Sequence, residues 1–122
     1  MKVSVCKSKI HKARITECDL NYEGSLEINS DYMEEVGMVP YERILVVNAT
    51  NGERLETYAI PGPPGTPVFR LNGAAARRGT AGDMITVMSF GIIEEDEARG
   101  SVPKIIVLDE DNAIAERKGA LK

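Results

Sequence analysis

Apolar residues in this chain come in short bursts broken by glycine and proline, and no segment sustains a helical period. The longest branched-aliphatic runs, Ile44–Val47 and Ile105–Leu108, have four residues each. Bursts of that length fit strands and fall short of the ~10 to 12 residues of an ordinary core helix. Strands at close spacing with Gly and Pro punctuation point to an all-β barrel or sandwich with a few short helices. Hydrophobic residues make up 43% of the chain but aromatics only 5%, so the core must be aliphatic. A chain of 122 residues removes roughly two-thirds of its surface from water on folding. One domain over residues 1–122 is expected, without disulfide or metal support.

Val3 and Val5 alternate with polar neighbours, and Ile10–Thr16 mixes charged and apolar positions as a half-exposed strand does. Arg43–Asn48 has the pattern of a more buried strand, and Asn51-Gly52 is the strongest short turn signal in the chain. That turn separates it from a strand over Arg54–Ile60. The segment Pro61-Gly62-Pro63-Pro64-Gly65-Thr66-Pro67 carries four prolines, which cannot donate to a ladder, so an exposed loop or rim is expected. Val68–Leu71 and Met84–Ile93 resume strands. A short helix is expected after Asn29 or Ser30, ending at Gly37 as a left-handed stop. Further helical turns are expected over Asn72–Arg77 and Glu94–Arg99, and Ala113–Lys122 is polar enough to fray.

Charge and ligand chemistry narrow the function. Fifteen Lys and Arg against nineteen Asp and Glu give a net charge of −4. No dense basic block exists to neutralise a row of phosphates, so a nucleic-acid partner is disfavoured. One His and two Cys cannot supply a four-ligand zinc site of Cys and His alone, and no metal is expected. The apolar stretch Val3-Ser4-Val5-Cys6 stops at Lys7, short of a signal-peptide core. No run approaches the ~20 residues of a membrane span. A cytoplasmic protein with no membrane partner is expected, its Cys6 and Cys18 free.

Four constellations could carry chemistry. In Tyr22-Glu23-Gly24-Ser25 a Gly-Ser bond lies between strand-like segments, where glycine tolerates strain and leaves its carbonyl uncovered. The serine hydroxyl can attack that carbonyl in an N-to-O acyl shift. Elimination from the resulting ester and hydrolysis of the dehydroalanine would leave a pyruvoyl group. Most Gly-Ser pairs are only turns. In a strand over Arg54–Ile60, Arg54, Glu56 and Tyr58 share one face and Leu55, Thr57 and Ala59 the other. Arg54 suits bidentate capture of a carboxylate, and Tyr58 suits proton transfer; an ordinary solvated strand would look the same. The small residues of Asn72-Gly73-Ala74-Ala75-Ala76 would let a ligand approach the main chain, or would merely pack a tight turn. Lys9 and His11 share a strand face, and a lone His is more often structural than catalytic.

Taken in order and spacing, Lys9-Ile10-His11, Tyr22-Glu23-Gly24-Ser25, Asn51-Gly52-Glu53-Arg54, Thr57-Tyr58, Asn72-Gly73-Ala74-Ala75-Ala76 and Gly82-Asp83 closely resemble the pyruvoyl-dependent aspartate 1-decarboxylase family. The resemblance runs from about Lys7 to Ile93. It implies a six-stranded double-psi β-barrel and a homotetramer with sites between subunits. It implies self-cleavage between Gly24 and Ser25 into a β chain of residues 1–24 and an α chain of residues 25–122. Ser25 would become the covalent pyruvoyl cofactor, which takes up the amine of L-aspartate as a Schiff base and accepts the electrons left by departing CO2. The product, β-alanine, would serve pantothenate and coenzyme A biosynthesis. The resemblance makes Tyr58 the proton donor and Thr57 the stabiliser of the oxyanion in self-cleavage. Lys9, Arg54, Thr57, Gly73, Ala74 and Ala75 would bind substrate, with His11, Tyr22 and Asn72 as neighbours.

Two departures lie outside that set: Val3 stands where the family usually has Arg, and the Pro-rich rim replaces a segment with a basic residue before Gly65. Residues 94–122 match poorly and carry no functional expectation. A non-cleaving double-psi barrel that binds a ligand or partner is the alternative.

Overall fold

The computed structural model describes residues 1–122. Its strands are β1 (Lys2–Arg14), β2 (Glu17–Asp19), β3 (Ser25–Asn29), β4 (Arg43–Asn48), β5 (Arg54–Gly62), β6 (Phe69–Asn72), β7 (Met84–Glu94), β8 (Lys104–Leu108) and β9 (Ile114–Gly119). Helix α1 (Ser30–Val36), a 3-10 turn (Gly73–Arg78) and α2 (Glu95–Ala98) are short. The protein is thus mainly β with a few short helices, as its interrupted apolar pattern requires.

The strands form one sheet in the order β2-β6-β3-β5-β4-β7-β1-β8-β9. Nine strands stand where six were expected. β2 is a three-residue strand, and the β8–β9 hairpin comes from the part of the chain that the resemblance left out. The sheet is barrel-like because β1 and β2 are nearly one segment. β1 pairs with β7 at one side, and β2, only Ile15 and Thr16 later, pairs with β6 at the other. Thr16 N–H donates to the Phe69 carbonyl at 2.9 Å and Ile15 N–H to the Asp83 carbonyl at 2.9 Å, carrying the bonding across the gap.

Seventeen buried apolar residues fill the interior, with Phe69 the only aromatic among them. Ile10, Val87, Val46 and Leu55 fall on one inward row of β1, β7, β4 and β5 through successive register pairs. Residues one step away along each strand therefore face outward.

Local signals place the connections. Asn29 caps α1, its Oδ1 accepting from Asp31 N–H at 2.7 Å, and Gly37 ends it at φ 78°. Asn51 and Gly52 turn β4 into β5, with Gly52 at φ 79°.

Two local expectations are corrected. Pro61 and Gly62 belong to β5 instead of the loop, pairing in parallel with Ile28 and Asn29. Beyond Tyr58 the β4 ladder has ended, so this stretch has a partner on one side only, where a residue without an N–H donor is tolerated. Ala113–Lys122 does not fray, because Ile114–Gly119 is strand β9, paired antiparallel to β8. Its polarity suits an outermost, solvent-facing strand. Asn112 at φ 60° and the Asp109 carboxylate, which accepts from the N–H groups of Asp111 and Ala113, build its tight turn. Arg117 clamps Glu35 of α1 through two bonds of 2.9 and 3.0 Å.

Candidate functional site

Strand β6 holds the segment around Ser25 in place from both sides. Asp19 of β2 and Ser25 of β3 are both registered on Asn72, so the connection Leu20–Gly24 leaves and returns at the same residue. Ser25 is only 1% exposed. Its hydroxyl donates to the Glu23 carbonyl at 3.0 Å and accepts from Asn72 Nδ2 at 3.1 Å. A buried hydroxyl with two partners has one orientation, which a freely rotating surface serine would lack.

Gly73 completes the contact. It sits at φ 71°, and a Cβ there would lie 2.6 Å from Gly24 Cα, 2.7 Å from Gly24 N and 3.1 Å from the Tyr22 carbonyl oxygen. Only a residue without a side chain lets the two main chains meet this closely. Asn72 is fully buried and its Oδ1 has no hydrogen-bond partner. An unpartnered buried amide oxygen beside the Ser25 hydroxyl is a polar group without its complement, and such groups gather where chemistry or a bound group completes them.

The parallel β3–β5 pair sets Leu26 against Ala59. Continuing that register past the ladder's end brings Ser25 level with Tyr58 and Gly24 level with Thr57. Tyr58 therefore shares a face with Ser25 and Asn72, while Thr57 shares the Gly24 side. Ala74 is exposed, and Ala75 packs half-buried against the core just beyond Gly73.

The cationic candidates lie elsewhere in the same chain. Arg54 is four residues from Tyr58 on β5, about 13 Å along the strand, and is exposed. Lys9 and His11 lie on β1, which pairs with β7 and β8 and with none of β3, β5 or β6. Both face outward. His11 Nδ1 meets the Thr86 hydroxyl at 3.0 Å. Its pKa is lowered, first by partial burial and then by the charges of Lys9, Lys12 and Lys118, so the imidazole is neutral near pH 7. Tyr22 is half exposed, and what it brings to Gly73 is its carbonyl oxygen.

One chain thus gathers Tyr22, Glu23, Gly24, Ser25, Asn72 and Gly73, with Thr57 and Tyr58 level with them in the continued β3–β5 register, while Lys9 and His11 sit on β1 and Arg54 at the start of β5. The roomiest surface groove, about 490 Å³ and lined by Ser4, Arg43, Ile44, Leu45, Glu56, Phe90 and Ile92, is also away from Ser25. Sequence reasoning missed Tyr41, whose ring lies 5.8 Å from that of Tyr58. Pro40 directly before it was the available signal, as the second residue of a tight turn.

Fold and site together define a barrel-like β protein organised around one oriented serine at the start of a strand, directly after a glycine. Residues 1–115 match the family described as aspartate decarboxylase. The chain is 50% identical to the aspartate 1-decarboxylases of Listeria monocytogenes and a Geobacillus species over 111 residues, covering 91% of this chain and 87% of each relative. It is also 50% identical to that of Syntrophobacter fumaroxidans over 112 residues, 92% of this chain and 90% of the relative. This chain belongs to the aspartate decarboxylase family. The match extends through residues 94–115, beyond the segment on which the sequence resemblance rested.

Proposed function

We propose that the chain is a carboxy-lyase that decarboxylates L-aspartate to β-alanine and CO2, after cutting itself between Gly24 and Ser25. The observation that carries the reading is the buried Ser25 hydroxyl, fixed between the Glu23 carbonyl and Asn72 Nδ2 beside a glycine packed on Gly73. In self-cleavage the Ser25 oxygen bonds to the Gly24 carbonyl carbon as the peptide C–N bond breaks, leaving an ester. Thr57, level with Gly24 when the β3–β5 register is continued, would donate to the oxygen that turns negative. Loss of the Gly24 carboxylate by elimination, then addition of water with release of ammonia, leaves residues 25–122 headed by a pyruvoyl group.

The Ser25 environment fits that group: the Asn72 amide N–H that donates to the Ser25 hydroxyl would donate equally to a carbonyl oxygen there, and Gly73 brings main chain without a side chain of its own against Gly24. The pyruvoyl ketone supplies an electron sink for the bond to the departing carboxylate. Tyr58, on the Ser25 face, returns a proton to the substrate's α carbon. Arg54 holds the carboxylate that stays, and Lys9 supplies a second cation.

Arg54 stands about 13 Å along β5 from Tyr58, and Lys9 is on β1, which pairs with none of β3, β5 or β6. That separation supports a homotetramer whose sites join Ser25 of one subunit to the cations of the next. The outward Phe90 and Ile92, 45% and 72% exposed, support subunit contacts on that face. The parallel β2–β6 and β3–β5 pairs suit a double-psi barrel. No helix is long and apolar enough to cross a membrane, which agrees with work in the cytoplasm, where β-alanine feeds pantothenate synthesis. The test is Ser25→Ala, which should remain a 122-residue chain and make no β-alanine; β-alanine production by it would overturn the reading.

A further inference from the structure

Val39-Pro40-Tyr41-Glu42 is a tight turn closed by Glu42 N–H donating to the Val39 carbonyl at 3.1 Å. Pro40 occupies its second position, and Tyr41, at φ 69°, its third. That is the type II pattern, whose third position calls for Gly or Asn because the left-handed region crowds a Cβ. A tyrosine there is a conformational outlier. Its side chain, 74% exposed, gains little from burial either, so neither the backbone nor the core explains it.

What Tyr41 does contact is Tyr58, with ring centroids 5.8 Å apart and planes tilted by 42°. Four bonds fix the turn beside Tyr58. Tyr41 N–H donates to the Ala59 carbonyl at 2.7 Å, and Ala59 N–H to the Glu42 carbonyl at 3.0 Å, so the turn grips β5 directly after Tyr58. Glu42 is held in turn by Lys7 Nζ at 2.7 Å, and its carboxylate accepts from Val39 N–H at 3.0 Å.

We infer that Tyr41 is a positioning residue for turnover: its left-handed backbone aims its ring against Tyr58 and holds that phenol at the angle from which it protonates substrate. The inference rests on the assignment of Tyr58 as proton donor. An aromatic pair of this kind narrows the orientations open to both rings. Tyr41 bonds to Ala59 and stacks on Tyr58, so self-cleavage at the Gly24–Ser25 bond should proceed without it.

The test compares Tyr41→Asn, Tyr41→Phe, Tyr58→Phe and the Tyr41→Asn/Tyr58→Phe double variant in the matured full-length protein. Tyr41→Asn suits the left-handed turn, so its Tm should rise by about 3 °C. It should self-cleave at the parent rate, with kcat lowered about three- to tenfold and KM unchanged. Tyr41→Phe, which keeps the ring, should restore kcat. The double variant should be no slower than Tyr58→Phe alone, because the effect passes through Tyr58. A parental kcat in Tyr41→Asn, a further loss in the double variant, or loss of the assembly in Tyr41→Asn would overturn the inference. A parental rate in Tyr58→Phe would instead remove Tyr58 as proton donor and the reading beneath.

Discussion

Replacing Gly73 with Ala puts a methyl group where the main chain of Gly24 already lies. Its Cβ would stand 2.6 Å from Gly24 Cα and 2.7 Å from Gly24 N, against ~3.5 to 4.0 Å for an unstrained carbon contact. Both neighbours are main-chain atoms, so no side chain can rotate away, and the segment carrying the Gly24–Ser25 bond has to move by about 1 Å. Gly73 is also left-handed at φ 71°, where an L residue costs about 1 to 2 kcal/mol. Overpacking adds about 1 to 3 kcal/mol. A total of roughly 2 to 5 kcal/mol lowers the Tm by about 8 to 20 °C in a chain of this size, and a folded protein remains. A displacement of about 1 Å at the reacting bond can slow a positioned reaction about a hundredfold. The assay is the appearance over time of fragments 1–24 and 25–122 by intact mass, at a temperature well below the variant's Tm. Cleavage within a few-fold of the parent rate would refute the claim that Gly73 positions the bond.

Two further outcomes concern the scaffold. Asn29 caps α1 through Oδ1 and donates through Nδ2 to the Thr66 carbonyl at 2.7 Å, so Asn29→Ala should cost about 1 to 3 kcal/mol in a denaturant melt; no measurable loss would sink this. Burial alone would raise the Glu42 carboxyl, but the hydrogen bond and charge of Lys7 and the Val39 amide outweigh it and hold the pKa below 4.5. A depressed carboxylate stabilises fully above its unfolded value and loses that contribution as pH falls through its folded value. Glu42→Gln should therefore be less stable than the parent at pH 7, with the gap closing below about pH 4; a gap independent of pH would contradict the Lys7–Glu42 pairing.

The parts of the fold that were legible are those with local causes. Asn29 and Gly37 bracket α1, and Asn51-Gly52 lies in the short connection 49–53 from β4 to β5, because a cap or a tight turn needs only its own neighbours. β9 was illegible because its polarity reflects its place at the sheet's outer edge, which no local pattern encodes. At the site, Arg54 and Tyr58 could be assigned to one strand face from alternation alone. The bond from Asn72 to Ser25 spans 47 positions and exists because β3 and β6 pair antiparallel, a fact of topology. The resemblance named Asn72 only as a neighbour, and its buried, half-satisfied amide becomes evident once the register is known. The separation of Lys9 from Ser25 is likewise a consequence of sheet order, invisible in a list of motifs.

By the proposed function, this chain makes its own carbonyl group from Ser25 and uses it on L-aspartate. Intact mass of the purified, aged protein, read beside β-alanine release from L-aspartate, tests it most directly. Two fragments are expected, residues 1–24 and 25–122, the larger lacking a free amino-terminal amine, with β-alanine accumulating in proportion to the cleaved fraction. A chain that stays intact, or one that releases β-alanine without cleavage before Ser25, would contradict it.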